Sequence, residues 1–114
     1  VMKIVHQNET KEFKNSDQCV AIEYPMNDKD INAAVGKITG RYPDSNRVVN
    51  TKCKELAYVI SGSGKVVVED KEYLLNVGDV VLIEPGERYY WEGHFDVFMP
   101  CTPAWYSEQH QEVE

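Results

Sequence analysis

The chain has 114 residues, with 12 basic and 19 acidic side chains and a formal net charge of −7. That balance opposes binding to a phosphate backbone, which needs clustered Lys and Arg, so nucleic acid is not an expected partner. Hydrophobic residues make up 42%, enough for one globular domain, and no apolar run approaches the ~20 residues of a membrane helix.

The first residues, Val1-Met2-Lys3-Ile4, show no apolar h-region of an export signal. The three cysteines, Cys19, Cys53 and Cys101, form an odd, widely spaced set without a Cys-x-x-Cys pair. Together these features predict a cytoplasmic protein with reduced thiols and no membrane partner.

In chain order, residues 1–18 read as an N-terminal arm, in which Met2 to His6 is a candidate crossing strand. Short runs rich in β-branched and aromatic residues follow, separated by polar breaks. The predicted strands are Cys19 to Tyr24, Ala33 to Gly40, Arg47 to Asn50, Leu56 to Ser61, Lys65 to Glu69, Lys71 to Leu75, Val80 to Ile83, Tyr89 to Trp91 and Phe95 to Met99. Ser61-Gly62-Ser63-Gly64 reads as a turn, Glu69-Asp70-Lys71-Glu72 as a tight hairpin, and Gly78-Asp79 as the entry to an apolar run buried on both faces. Short helices are predicted near Asp28 to Ala34 and from Ser107. Residues 19–105 then form the strand-bearing body, and 106–114 an acidic, frayed tail. The spacing of strands and turns predicts an all-β sandwich or barrel.

One stretch is more specific. Glu55 is followed by six residues and Gly62, and Gly78 leads through five residues, Asp79 to Ile83, to Glu84-Pro85-Gly86 and then Tyr89. This resembles the two-part motif of the cupin family, over about residues 33–105. The resemblance implies a double-stranded β-helix (jelly-roll) cupin barrel of the small, RmlC-like, single-domain kind. In the family, both motifs carry the histidines that bind a divalent metal beside the glutamate. Here the first two histidine positions fall on Val49 and Thr51, or with a longer spacer on Val48 and Asn50. The third carries Tyr89, and the motif's asparagine position carries Gly93. Only Glu55 remains of the usual four ligands, so no metal cofactor is expected. The remaining histidines, His6, His94 and His110, read as terminal or loop residues.

A lumen stripped of histidines but lined by a carboxylate, amides and aromatic rings suits a small organic ligand. The resemblance points to carbohydrate-like or sugar-acid metabolites. Glu55 is the candidate base, since burial raises a carboxyl pKa. Tyr89 is the candidate acid or oxyanion donor, and Lys37 completes the group if its strand turns it inward. Asn50, Thr51, Cys53, Tyr58, Trp91, Met99 and Trp105 are the candidate ligand contacts. Three readings stay open: binding with isomerisation, binding or sensing without chemistry, and a structural module. A homodimer is expected, because exposed sheet edges favour closure by a second copy. A metal-dependent cupin with unusual ligands is the remaining alternative.

Overall fold

Period-two alternation in the short apolar runs produces nine strands in one curled antiparallel sheet, in a computed structural model that describes all residues 1–114. The strands are β1 (Lys11–Ser16), β2 (Cys19–Tyr24), β3 (Asn32–Tyr42), β4 (Arg47–Asn50), β5 (Lys54–Val68), β6 (Lys71–Leu75), β7 (Val80–Ile83), β8 (Arg88–Thr102) and β9 (His110–Val113). They run in the order β1-β2-β3-β8-β4-β9, and β5 pairs with β6, β7 and β8. This is the all-β jelly-roll barrel expected from the motif spacing. The only helical elements are single 3₁₀ turns at Gln7–Glu9 and Ser107–Gln109, and no helix is long and apolar enough to cross a membrane.

Several local expectations are corrected. Ser61 to Gly64 is not a turn. It lies inside β5, which runs unbroken through fifteen residues and pairs with β8 from Lys54↔Thr102 to Val68↔Tyr89. Tyr89 to Trp91 and Phe95 to Met99 are likewise parts of the single strand β8. The glycines serve close approach of two strands rather than chain reversal. A Cβ on Gly62 (φ +79°) would collide with the His94 carbonyl oxygen, and one on Gly64 with the Phe95 ring. Asp28 to Ala34 holds no helix: the Asp28 carboxylate accepts a hydrogen bond from the Asp30 backbone N–H at 3.2 Å, and the chain enters β3 at Asn32. The N-terminal arm supplies β1, paired with β2, and the C-terminal segment supplies β9, paired with β4, rather than fraying. The run Val80 to Ile83 is not buried on both faces, since Ile83 is buried while Val80 and Leu82 face outward from an edge strand.

A register shift between Val59 and Ser61 decides which side chains face inward. Before it, Glu55, Ala57 and Val59 are buried and Lys54, Leu56 and Tyr58 are exposed. One extra residue at Ile60 flips the parity, so that Val66 is again buried. On β8 no such shift occurs within the strand itself, and Tyr89, Trp91, Phe95, Val97 and Cys101 all point to the core. Trp91 sits edge-on to Tyr89 and Phe95, with ring centroids 5.9 and 6.0 Å apart.

The crossing glycines give a direct test. Gly86 has a similar positive φ (+87°), but a Cβ there meets open space. Gly86→Ala is therefore expected to cost only the left-handed backbone strain, about 1–2 kcal/mol. Gly62→Ala adds a backbone collision and is expected to cost clearly more, read as the difference in denaturant midpoint. Equal losses would contradict the crossing role.

Candidate functional site

The curl of the sheet leaves a cavity whose lining comes from five strands and the C-terminal segment. Its floor is Ile38, Glu55, Tyr89 and Trp91, all buried, and its mouth is Asn15, Glu23 and Trp105. Strand alternation explains the rest of the wall: Cys19, Ala21 and Glu23 alternate on β2, opposite Ile38, Gly36 and Ala34 on β3. The small residues Ala21, Ala34 and Gly36 leave the space, and Met99 closes one side. The enclosed part measures about 70 Å³.

Behind this floor lies a buried hydrogen-bond network centred on Asn50. Its polarity is fixed from one end. The Gln109 side-chain oxygen accepts hydrogen bonds from the backbone N–H groups of Lys52 (3.2 Å) and Cys53 (3.1 Å). Gln109 Nε2 must therefore be the donor to Asn50 Oδ1, at 3.0 Å. Asn50 Nδ2 then faces Glu55 Oε1 at 3.5 Å. The same Asn50 Oδ1 lies 2.8 Å from His110 Nδ1, which has to carry the proton, so His110 Nε2 is the acceptor for the Tyr42 hydroxyl at 3.0 Å. Backbone donors thus set one tautomer and one proton order from Gln109 to Tyr42. Each of these side chains has its place from pairing: Asn50 is opposite His110 in the β4–β9 ladder, and Tyr42 is opposite Trp91 in the β3–β8 ladder.

Burial governs the electrostatics. It pushes the Glu55 carboxyl up to about 7, opposed only by the Asn50 N–H. It pushes the His110 imidazole down to about 4, so His110 is neutral at neutral pH. Tyr42 and Tyr89 rise above the ordinary phenol range, chiefly by burial, and the nearby Glu55 charge adds to both. At the mouth, burial also raises Glu23, partly offset by Lys11. Burial raises Cys19 to about 11 and moves Cys53 and Cys101 upward, which keeps all three as thiols.

The sequence candidates divide cleanly. Glu55, Tyr89, Trp91, Met99 and Trp105 line the cavity, and Asn50 stands directly behind Glu55. Lys37 does not reach the lumen: the β3 alternation turns it outward, where it pairs with Asp96 at 3.5 Å. Tyr58 is on the outer face and 45% exposed. Thr51 is exposed and bonds the Gln109 carbonyl, and Cys53 is buried outside the cavity, with its Sγ 3.3 Å from the Pro103 carbonyl oxygen. The longer spacer of the first motif is the one realised, since Asn50 rather than Thr51 meets Glu55. His110 is no loop histidine but the first residue of β9, and it lines the cavity. Tyr42 and Gln109 were not among the candidates. Their roles depend on pairings 59 to 68 residues apart, which no local pattern encodes.

With this geometry in place, the comparisons with known proteins have a definite meaning. Residues 45–99 match the family model described as a cupin domain. The chain carries a cupin domain. Among solved structures it superposes on Pac13, described as a unique nucleoside dehydratase, with TM-score 0.88 and 16% identity over 100% of this chain and 92% of that one. The Streptomyces protein has also been solved with uridine. Ectoine synthase from P. lautus gives TM-score 0.75 and 15% identity, covering 99% and 91% of the two chains. An RmlC-like cupin from Shewanella frigidimarina gives 0.76 and 14%, covering 95% and 96%. No curated protein matches the sequence. At these identities the likeness establishes a shared fold.

The divalent metal usual for cupins does not fit the residues present. No three His, Cys, Asp or Glu side chains lie close enough together to hold an ion. Of the lumen groups, His110 has both ring nitrogens committed to Asn50 and Tyr42, which leaves Glu55 as a lone carboxylate on the floor.

Two buried groups with opposite shifts should mask each other in stability. Glu55 has its folded pKa raised from the ordinary 4.5 to about 7, so its contribution is full below 4.5 and is lost as pH rises through 7. His110 has its pKa lowered from 6.5 to about 4, so its contribution is full above 6.5 and is lost as pH falls through 4. Each is worth roughly 3 kcal/mol at ~1.4 kcal/mol per tenfold change in acidity. Between pH 4.5 and 6.5 they oppose. Glu55→Gln should uncover the histidine: urea unfolding should show the variant losing stability on acidification from 6.5 to 4 much more steeply than the unsubstituted protein. Parallel curves would show that Glu55 does not hold its proton in the folded state.

Proposed function

We propose that this cupin binds a small hydroxylated, carbohydrate-like metabolite in its lumen and acts on it by metal-independent proton transfer. Glu55 carries the reading. It is almost fully buried, has its pKa raised to about 7, receives one long hydrogen bond on Oε1 at 3.5 Å, and lines the cavity. A base poised near the working pH is what proton abstraction requires. Beside it, Tyr89 is held protonated and can donate to the oxygen on which charge develops. In an aldose–ketose isomerisation, Glu55 takes the proton from the hydroxyl-bearing carbon next to a carbonyl, Tyr89 hydrogen-bonds the resulting enediolate oxygen, the hydroxyl proton passes to that oxygen, and Glu55 returns its proton to the former carbonyl carbon, so that carbonyl and hydroxyl exchange places. The indole faces of Trp91 and Trp105 suit the flat faces of a sugar or nucleoside ring. The fold neighbours described as a nucleoside dehydratase and as ectoine synthase support small polar substrates in this kind of barrel.

The three free cysteines, all buried, fit a reducing compartment, and we place the protein in the cytoplasm on that ground. A second copy is the proposed partner. Leu56, Tyr58 and Ile60 on β5, Val80 and Leu82 on β7, and Phe98 on β8 form one exposed apolar sheet face, contiguous through the pairs Leu56↔Leu82, Tyr58↔Val80 and Tyr58↔Phe98. An uncharged patch of this extent on an acidic chain is best closed by its own copy.

Four measurements test these statements. Thermal shift against uridine and a panel of neutral sugars should find a stabilising ligand, and NMR should show its conversion. Glu55→Gln should lower turnover by at least ~10²-fold at saturating ligand; an unchanged rate would remove Glu55 from the chemistry. Elemental analysis of tag-free protein should find less than 0.1 equivalents of iron, manganese, nickel or zinc, as a rough threshold for a lumen with one carboxylate ligand. Light scattering should give twice the chain mass, reduced to one by Leu82→Glu; a monomeric parent protein would refute the second copy.

A further inference from the structure

The charge inventory of the lumen narrows the ligand further, on the reading that the lumen is the ligand site. Two carboxylates line the cavity, Glu55 on the floor and Glu23 at the mouth, and no Lys or Arg does. The one imidazole, His110, is neutral, with both nitrogens hydrogen-bonded within the protein. Lys11 faces Glu23 across the β1–β2 pair but is exposed and is not part of the wall. Lys37 and Lys54, on the strands that carry Ile38 and Glu55, pair outside with Asp96 (3.5 Å) and Glu84 (3.2 Å).

An acidic ligand entering this space would lose its hydration and meet carboxylates, with no fixed cation to receive it. A cationic one meets the opposite. Glu55 lines the space with one hydrogen bond, on Oε1, and the aromatic side chains Tyr42, Tyr89, Trp91 and Trp105 line the same space. The enclosed part, about 70 Å³, admits only one end of a metabolite. We infer that the lumen receives a protonated-amine end of its ligand, set against Glu55 and the aromatic wall, with the hydroxylated remainder toward Asn15 and Glu23. The substrate class becomes small amine-bearing hydroxy compounds, such as amino sugars and amino alcohols, and sugar acids are excluded.

Three probes of nearly one shape separate the possibilities: ethanolamine, ethylene glycol and glycolate, which carry the same hydroxymethyl arm with a cationic, neutral or anionic head. Each is titrated at pH 8 against the full chain, with the ¹⁵N-indole resonances of Trp91 and Trp105 as readout. Ethanolamine is expected to shift Trp91 with an affinity at least tenfold above ethylene glycol, and glycolate to leave it in place. Glu55→Gln should remove the ethanolamine advantage while ethylene glycol binds as before. Lys37→Gln, on the outer face, should change neither. If glycolate shifts Trp91 as well as ethanolamine does, or if the three probes are equal, the charge inference is overturned while the lumen remains the ligand site. If none of the three moves Trp91, the inference and the lumen-site reading fall together.

Discussion

Two fifteen-residue strands, β5 and β8, lie against each other along most of their lengths, and every other element hangs from one of them. β6 and β7 pair with β5, β3 and β4 pair with β8, β2 and β9 attach one strand further out, and β1 attaches to β2. The contact is close because three glycines remove side chains where the strands meet: Gly62 and Gly64 on β5, and Gly93 on β8, which stands directly opposite Gly64. A slip of one residue would turn the inward set outward. The bulge at Ile60 is therefore as much a determinant of the site as Glu55 is. It lets the first half of β5 present Glu55 to the lumen and bury Ala57 and Val59 in the core, while the second half buries Val66 in that same core.

The site has the character of a closed network with one open position. Asn50, Gln109, His110 and Tyr42 satisfy one another and the backbone, and such networks rigidify when every member is paired. What they leave with a single long hydrogen bond is the Glu55 carboxylate, which lines the cavity. The cost of burying Glu55 is real, since its proton is held far above the ordinary carboxyl range. A protein that only needed a packed floor would place an apolar residue there, as Ile83 does opposite Glu55 in the β5–β7 pair. A buried ionisable group with a free face, kept in position by amides whose orientation is fixed by backbone donors, is better explained by use than by packing.

Much of this was legible in the residue order, and the limits were physical. The apolar run Val80 to Ile83 and the Glu69-Asp70 hairpin announced themselves because propensity and turn chemistry are local. Glu55 was legible through its spacing to Gly62. The glycines of Ser61 to Gly64 misled for a definite reason: a glycine in a turn and a glycine under a crossing strand look alike until the partner strand is known. His110 was invisible for a related reason. Its segment is polar and acidic, and only the ladder Asn50↔His110, sixty residues apart, makes it part of the wall. Lys37 was misplaced by parity alone, because Ile38 beside it takes the inward position.

The substitutions at the cupin motif positions fit together as one change rather than as separate losses. A divalent ion in the lumen would supply two or more positive charges and hold Glu55 ionised at any physiological pH. With Asn50 and Tyr89 at two of the histidine positions, these residues supply no such charge of their own, and burial raises the same glutamate to about 7. Tyr89 fills the floor with a ring whose hydroxyl stays protonated, and Asn50 offers an N–H where a metal bond would have been. On the proposed metal-independent reading, the carboxylate serves as a group that can gain and lose a proton near neutrality. A histidine at position 89 alone would not complete a metal site. The first-motif position would still be Asn50, whose oxygen is already occupied by Gln109 and His110, and the network that orients it would have to be dismantled first.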